Sequence, residues 1–135
     1  MLFDTNIIIN YTEGKSFSKE NINFYLKRGG VILISERTQI ELYRGYLLPK
    51  YQHQKLEYEK VQSRIIILPC DIEIQEKALQ IFKKLNLQPK DWADVLIAST
   101  AIKYDIPLIT NDDDFYRISM ITDLKIENWH TRCIY

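Results

Sequence analysis

Cysteine is scarce in this chain of 135 residues: there are two, Cys70 and Cys133. They lie far apart and form no C-x-x-C pair, so a disulfide framework and a thiol–redox motif are both excluded. Both are read as free thiols in a reducing cytosol. The two histidines, His53 and His130, have no ligand spacing with them, which argues against zinc. No apolar run is long enough to cross a membrane. The first apolar run is broken by Asp4 and lacks a basic leader, so no signal peptide is expected. Neither sign of charge is in excess, with Lys plus Arg at 18 and Asp plus Glu at 18. Nucleic acid therefore finds no global attraction and would have to rely on local basic clusters. Four glycines and four prolines are too few and too scattered to make a linker. There is no repeat and no low-complexity segment.

What remains is an ordinary globular composition, 46% hydrophobic and 27% charged, long enough for one domain over residues 1–135 with a real core. Short runs rich in Ile and Val read as strands: Leu2–Phe3, Val31–Ile34, Ile65–Leu68, Leu108–Ile109 and a weaker one near Leu124–Ile126. Between them lie helical patterns. One covers about 18–28 and stops at Gly29-Gly30. Ser35 is placed to cap a helix running to about Leu47. Another follows Pro49 to about Arg64, a further one runs from Asp71 to about Leu85, and the next from Asp91 to about Tyr104. A short helical turn follows Asp112. Strands alternating with helices imply an α/β fold, a parallel sheet covered on both faces. In such sheets ligands bind at the carboxyl ends of the strands.

Acidic residues fall at those ends. Asp4 follows the first strand in "MLFDTN", and Asp112, Asp113 and Asp114 follow Leu108–Ile109 in "LITNDDDF". Asp94 opens "DVLIASTA" with Ile97, Ala98 and Ala101 on its own helical face, so it points along a core-facing stripe. Glu41 sits mid-helix in "TQIELYRG", with Gly45 four residues on, where a missing side chain permits close approach. Each acid also has a plain structural reading. Asp4 or Thr5 can cap the following helix. Asp91 and Asp94 can form a capping box. Glu41 can pair with Arg37 or Arg44 on a solvated face. Asp112 can be an N-cap. Together, carboxylates beside core sequence call for a cation to offset their desolvation. Oxygen ligands without His or Cys select Mg²⁺ or Mn²⁺, which suits metal-assisted phosphoryl transfer.

"MLFDTNIII", "SERTQIELYRG", "DWADVLIASTA" and "LITNDDDFYRI" resemble the four signatures of PIN-domain ribonucleases, in order and over nearly the whole chain. Within that family the chain looks like a VapC-type toxin of a type II toxin–antitoxin pair. The resemblance implies a three-layer α/β/α fold with a central parallel sheet of about five strands. It implies Mg²⁺- or Mn²⁺-dependent endonucleolytic cleavage of RNA in the cytoplasm. Asp4, Glu41, Asp94 and Asp112 match the family's four acids, with Asp4, Asp94 and Asp112 on the metal and Asp114 competing for the fourth place. Thr5, Asn6 and Thr110 match polar residues that order the acids or the attacking water. A cognate antitoxin and a homodimer are the implied partners.

RNA contacts would then fall on Lys50, Lys55, Arg37, Arg44 and Arg117. Tyr43, Tyr46 and Tyr51 could stack on bases, or serve as core, dimer or antitoxin contacts. Two other readings stay open. One is another Mg²⁺-dependent phosphoryl-transfer α/β enzyme. A phosphatase of the haloacid type would place D-x-D after the first strand, where this chain has D-T-N. The other is a non-catalytic PIN-like module that only docks a partner.

Overall fold

The computed structural model describes residues 1–129, the side chain of Ser16 excepted; His130 and Cys133 lie outside them. Five strands form one sheet in the order β3-β2-β1-β4-β5. They are β1 (Leu2–Phe3), β2 (Ile32–Ser35), β3 (Ile65–Leu68), β4 (Leu108–Ile109) and β5 (Ile126–Glu127). Every neighbouring pair is parallel, with Leu2 opposite both Leu33 and Leu108. The helices are α1 (Thr5–Thr12), α2 (Ser16–Lys27), α3 (Glu36–Tyr46), α4 (Gln52–Val61), α5 (Ile72–Lys84), α6 (Trp92–Tyr104) and α7 (Asp114–Ser119).

The pleat divides the core into two layers, because successive strand residues face opposite sides. Leu2 and Leu108 pack with residues of α5, α6 and α7, including Ile74, Ile97, Ala98 and Phe115. Phe3 and Ile109 pack on the other face with Ile7, Ile22, Leu42 and Tyr58. This is the expected three-layer α/β/α arrangement. Helix α6 is buried all round from Val95 to Ala101, as a helix in the middle of a core must be. Its two hydroxyls are satisfied internally, Ser99 donating to the Val95 carbonyl and Thr100 to that of Leu96. Asp105, at a φ of 51° in the left-handed region, ends it.

Several boundaries differ from the sequence expectation. The stretch after Pro49 is three pieces: α4 flanked by tight 3-10 turns at Pro49–Tyr51 and Gln62–Arg64. Strand β5 sits at Ile126–Glu127 rather than Leu124–Ile126, and Leu124 is buried just ahead of it. Ser35 caps α3 as expected, accepting from the Arg37 N–H at 3.1 Å, while also closing β2. Asp71 likewise caps α5 by accepting from the Ile74 N–H.

Strand order positions the site. From β1 the chain builds outward through β2 and β3 on one side; β4 and β5 lie on the other. The crevice between the carboxyl ends of β1 and β4 is thus the topological switch point, where α/β sheets bind ligands.

Candidate active site

Asp4 leaves β1 at this crevice and is almost fully buried, 2% exposed. Both of its oxygens are engaged. Oδ1 accepts from the Thr5 N–H at 2.7 Å, which caps α1, and Oδ2 accepts from the Thr110 hydroxyl at 2.9 Å. The capping reading of Asp4 therefore holds, and its second oxygen is held by Thr110 just past β4. Burial pushes its carboxyl up to about 6, against the two hydrogen bonds, with Asp112 and Glu41 adding repulsion.

A relay continues along the end of β4. The Thr110 hydroxyl accepts from the Asp112 N–H at 3.0 Å, and Asp112 Oδ1 accepts from the Asp114 N–H at 2.9 Å. This Asx-type turn folds the acidic triplet back on itself before α7. Asp112, Asp114 and Asp94 each bring one carboxylate oxygen within 4.8 Å of the others. Asp112 and Asp114 both belong to this cluster. Asp113 is exposed.

Asp94 enters from the first turn of α6, with Ile97, Ala98 and Ala101 buried beneath it as its spacing requires. Its carboxyl is pushed up to about 7, by burial first and then by Asp4, Asp112, Glu41 and Asp114. The capping box drawn for Asp91 and Asp94 does not form. Asp91 lies in a helical conformation at the end of a 3-10 turn, Pro89–Asp91. Its carboxylate accepts from the Gln88 N–H and pairs with Arg117 at 3.2 Å. Arg117 thus braces α7 against the start of α6, which occupies one of the basic residues expected to meet RNA.

Glu41 and Asp4 stand outside the three-oxygen triangle, yet both act electrostatically on Asp94. Glu41 pairs with Arg37 one turn earlier, at 3.4 Å, as its plain reading held. Arg44 is exposed beside it. The close approach expected at Gly45 is corrected: a Cβ there would meet nothing within 4 Å. The glycine borders open space instead. Thr5 donates to or accepts from the buried Thr38 hydroxyl at 3.0 Å, locking α1 to α3 beside Asp4. Sequence reasoning missed Thr38; its one signal was a small polar residue on the same helical face as Glu41. Asn6 is exposed on the first turn of α1.

Among Tyr43, Tyr46 and Tyr51, the first is about half exposed and leans on Tyr46 and Tyr58. Tyr46 packs on the buried Tyr58 at 5.6 Å between ring centres. Lys50 lies over the Tyr51 ring, and Lys55 is 4.0 Å from Glu59.

The donor set fits a hard divalent ion: three carboxylate oxygens converge with no nitrogen or sulfur among them. An ion bonded to two oxygens spans at most ~4.2 Å between them, twice the metal–oxygen bond. The three oxygens, all within 4.8 Å of one another, are spaced on that order. Fold and site together define a parallel α/β protein with a cation-competent carboxylate pocket at its switch point.

The PIN domain family model matches residues 1–120, and the chain belongs to that family. No curated protein matches it. Similar solved structures include VapBC2 from Rickettsia felis bound to a promoter DNA fragment, at 25% identity and a TM-score of 0.76. That match covers 95% of this chain and 97% of the other. A toxin–antitoxin complex from Klebsiella pneumoniae matches at 27% identity and a TM-score of 0.67, over 84% and 88% of the two chains. DNA-bound VapBC from Salmonella typhimurium matches at 24% identity and a TM-score of 0.72, over 95% and 96%.

Proposed function

We propose that this PIN-domain protein is a Mg²⁺- or Mn²⁺-dependent endoribonuclease and the toxin of a toxin–antitoxin pair. The observation that carries the reading is the convergence of Asp94, Asp112 and Asp114 at the switch point of a PIN-family sheet. Asp94, Asp112 and Asp114 would hold the ion. Asp4 lies beside them, buried and with both oxygens already bonded, and contributes its charge. Such an ion polarises a phosphodiester and lowers the pKa of a water.

The chain's own residues supply the rest. Asp94, whose carboxyl burial and neighbouring acids raise to about 7, would hold the ion as the carboxylate, without its proton. Thr110 orders Asp4 and Asp112 through one hydroxyl. Glu41, on α3 and within electrostatic reach of Asp4 and Asp94, would orient or deprotonate a water. Arg37 and Arg44 border an open cleft next to Glu41 and suit the phosphates of a bound strand. That local cluster serves where net charge does not.

Similarity to toxin–antitoxin complexes supports an antitoxin partner, and a homodimer belongs to the same proposal. Edge strand β3 leaves Ile66 and Ile67 about half exposed, which fits an interface. Among the described residues no helix is long and apolar enough to cross a membrane. Cys70, a free thiol, fits a cytoplasmic location.

The test is cleavage of a defined RNA by the purified protein. Cutting should need Mg²⁺ or Mn²⁺, stop with EDTA and vanish in Asp4→Asn. Undiminished cutting by that variant overturns the reading.

A further inference from the structure

Helix α6 begins on an acid that does not cap it. Asp91 occupies the N-cap position, yet its side chain makes no hydrogen bond to the first turn of α6. An Asp at that position ordinarily accepts from the N–H of the second or third helical residue. Here the carboxylate turns away. Oδ2 accepts from the Gln88 N–H at 3.0 Å, and Oδ1 meets Arg117 Nη2 at 3.2 Å. Asp91 is buried, while the Arg117 side chain is about half exposed. An ion pair to α7 has taken the group that the helix start would use.

The elements it joins carry the converging acids. Asp94 lies one turn beyond Asp91 on α6, and Arg117 one turn beyond Asp114 on α7. Residues three apart share a helical face. Two rungs therefore connect the same pair of helices. One is Asp94 to Asp114, with Asp112 beside it. It brings carboxylate oxygens within 4.8 Å, and their repulsion favours separation of the helices while no cation is bound. The other, Asp91 to Arg117, draws them together. Helix α7 needs such a tie, because its six residues are too few to hold a helix alone. Phe115 and Ile118 pin its inner side in the core, and Arg117 ties its outer side to the start of α6.

We propose that Asp91 and Arg117 are positioning residues, whose ion pair holds α6 and α7 at the spacing at which Asp94, Asp112 and Asp114 grip a divalent cation. The inference rests on the metal-dependent reading above. Neither residue is a ligand to the ion or a contact to RNA. A spacing set in advance lowers the cost of gathering the ligands when the ion binds. Residues that orient metal ligands without touching the ion commonly alter affinity in this way.

Charge gives the test its sign. Arg117 is a cation one turn from Asp114. Acting only through its field, it would oppose a bound cation, and its removal would tighten binding. Acting as a brace, it favours the ion, and its removal weakens binding although a positive charge has gone. Removing the Asp91 charge weakens binding on either account, so Arg117 decides between them.

Mn²⁺ alone is titrated into the full chain, without RNA, and free Mn²⁺ is read by electron paramagnetic resonance. Arg117→Gln and Asp91→Asn should each weaken binding about fivefold, and the double variant should be no weaker than either. Arg117→Lys, which keeps the positive charge, should stay within about twofold of wild type. In cleavage assays Arg117→Gln should need about fivefold more Mn²⁺ for half-maximal rate. Its KM for RNA at saturating Mn²⁺ should match wild type.

Tighter Mn²⁺ binding by Arg117→Gln makes the effect one of field and overturns the proposal. Unchanged affinity with a lower Tm makes the pair a stability feature and overturns it too. A raised KM for RNA at unchanged Mn²⁺ affinity makes Arg117 an RNA contact, with the same consequence. A wild type that binds no Mn²⁺ defeats the brace together with the metal-dependent reading. A wild type that binds Mn²⁺ but cuts no RNA defeats the ribonuclease reading alone, and the affinities still decide the brace. Should Asp91→Asn fail to fold, Arg117→Gln decides, because that side chain is about half exposed.

Discussion

Replacing Asp94 by Asn should make the metal-free protein more stable while abolishing its activity. Asp94 is raised from 3.8 to about 7, by burial first and then by four neighbouring acids, with no hydrogen bond opposing the shift. The folded chain therefore holds a proton that the unfolded chain has already lost. Folding takes up that proton between pH about 4 and 7, so stability falls as pH rises through this window and is level above it. At 1.36 kcal/mol per pKa unit the full effect has a ceiling of about 4 kcal/mol. Asp94 is only half-buried, and discounting for solvent screening leaves about 2 kcal/mol.

Asn is nearly isosteric and carries no charge at any pH. For 135 residues, an unfolding entropy of about 2.1 cal/mol/K per residue makes 2 kcal/mol worth ~7 °C in Tm. In EDTA at pH 8, Asp94→Asn should melt about that much higher than wild type. At pH 4.5, where the wild-type carboxyl is neutral when folded, the two should agree within ~2 °C. Excess Mg²⁺ should close the gap at pH 8, because only the wild type retains all three carboxylates for the ion. Calorimetric melts at the two pH values read this directly. A variant no more stable than wild type at pH 8, or equally stabilised at both pH values, would refute the electrostatic argument.

Two further outcomes follow from the same geometry. Thr110→Val removes the donor to Asp4 Oδ2 and the acceptor for the Asp112 N–H. The Asp4 carboxyl then rises above about 6, and the acid limb of the pH–rate profile should move up by about one unit, tenfold in rate at pH 6. An unmoved limb with a uniformly lower rate would mean that Thr110 only packs. Gly45→Ala should stabilise the protein by about 1 kcal/mol, since α3 gains a better helix former and its Cβ meets nothing within 4 Å. A lower denaturation midpoint would show the open space at Gly45 to be wrongly placed.

The parts of this fold legible in the sequence are those decided locally. Leu2–Phe3 and Leu108–Ile109 are too short for helices and too apolar for turns, so their strands and the acids after them could be read together. Asp94 was legible because Ile97, Ala98 and Ala101 mark its face as buried. The site's finer wiring depends on contacts far apart in sequence. Thr38 meets Thr5 across 33 positions, and Thr110 meets Asp4 across 106. Nothing within either segment announces its partner. Asp112 and Asp114 could not be separated because the turn that brings both inward is closed by Asp112's own side chain.

Asp4 and Asp94 differ in kind, although both are raised acids. Asp94 is held only by its helix, so neutralising it relieves repulsion and leaves the backbone as it was. Asp4 is the centre of a relay: the Thr5 N–H and the Thr110 hydroxyl converge on it, Asp112 donates to Thr110, and Asp114 donates to Asp112. This chain ties the end of β1 to the start of α7 across the switch point. Changing Asp4 thus alters the field in the pocket and the placement of two of its three converging oxygens. Hydrogen bonds to a charged acceptor are worth about 1.5–3 kcal/mol, so weakening two of them offsets much of the repulsion relieved. Asp4→Asn should therefore lose activity without the stability gain of Asp94→Asn, and the contrast between their melts at pH 8 separates a scaffolding acid from a purely electrostatic one.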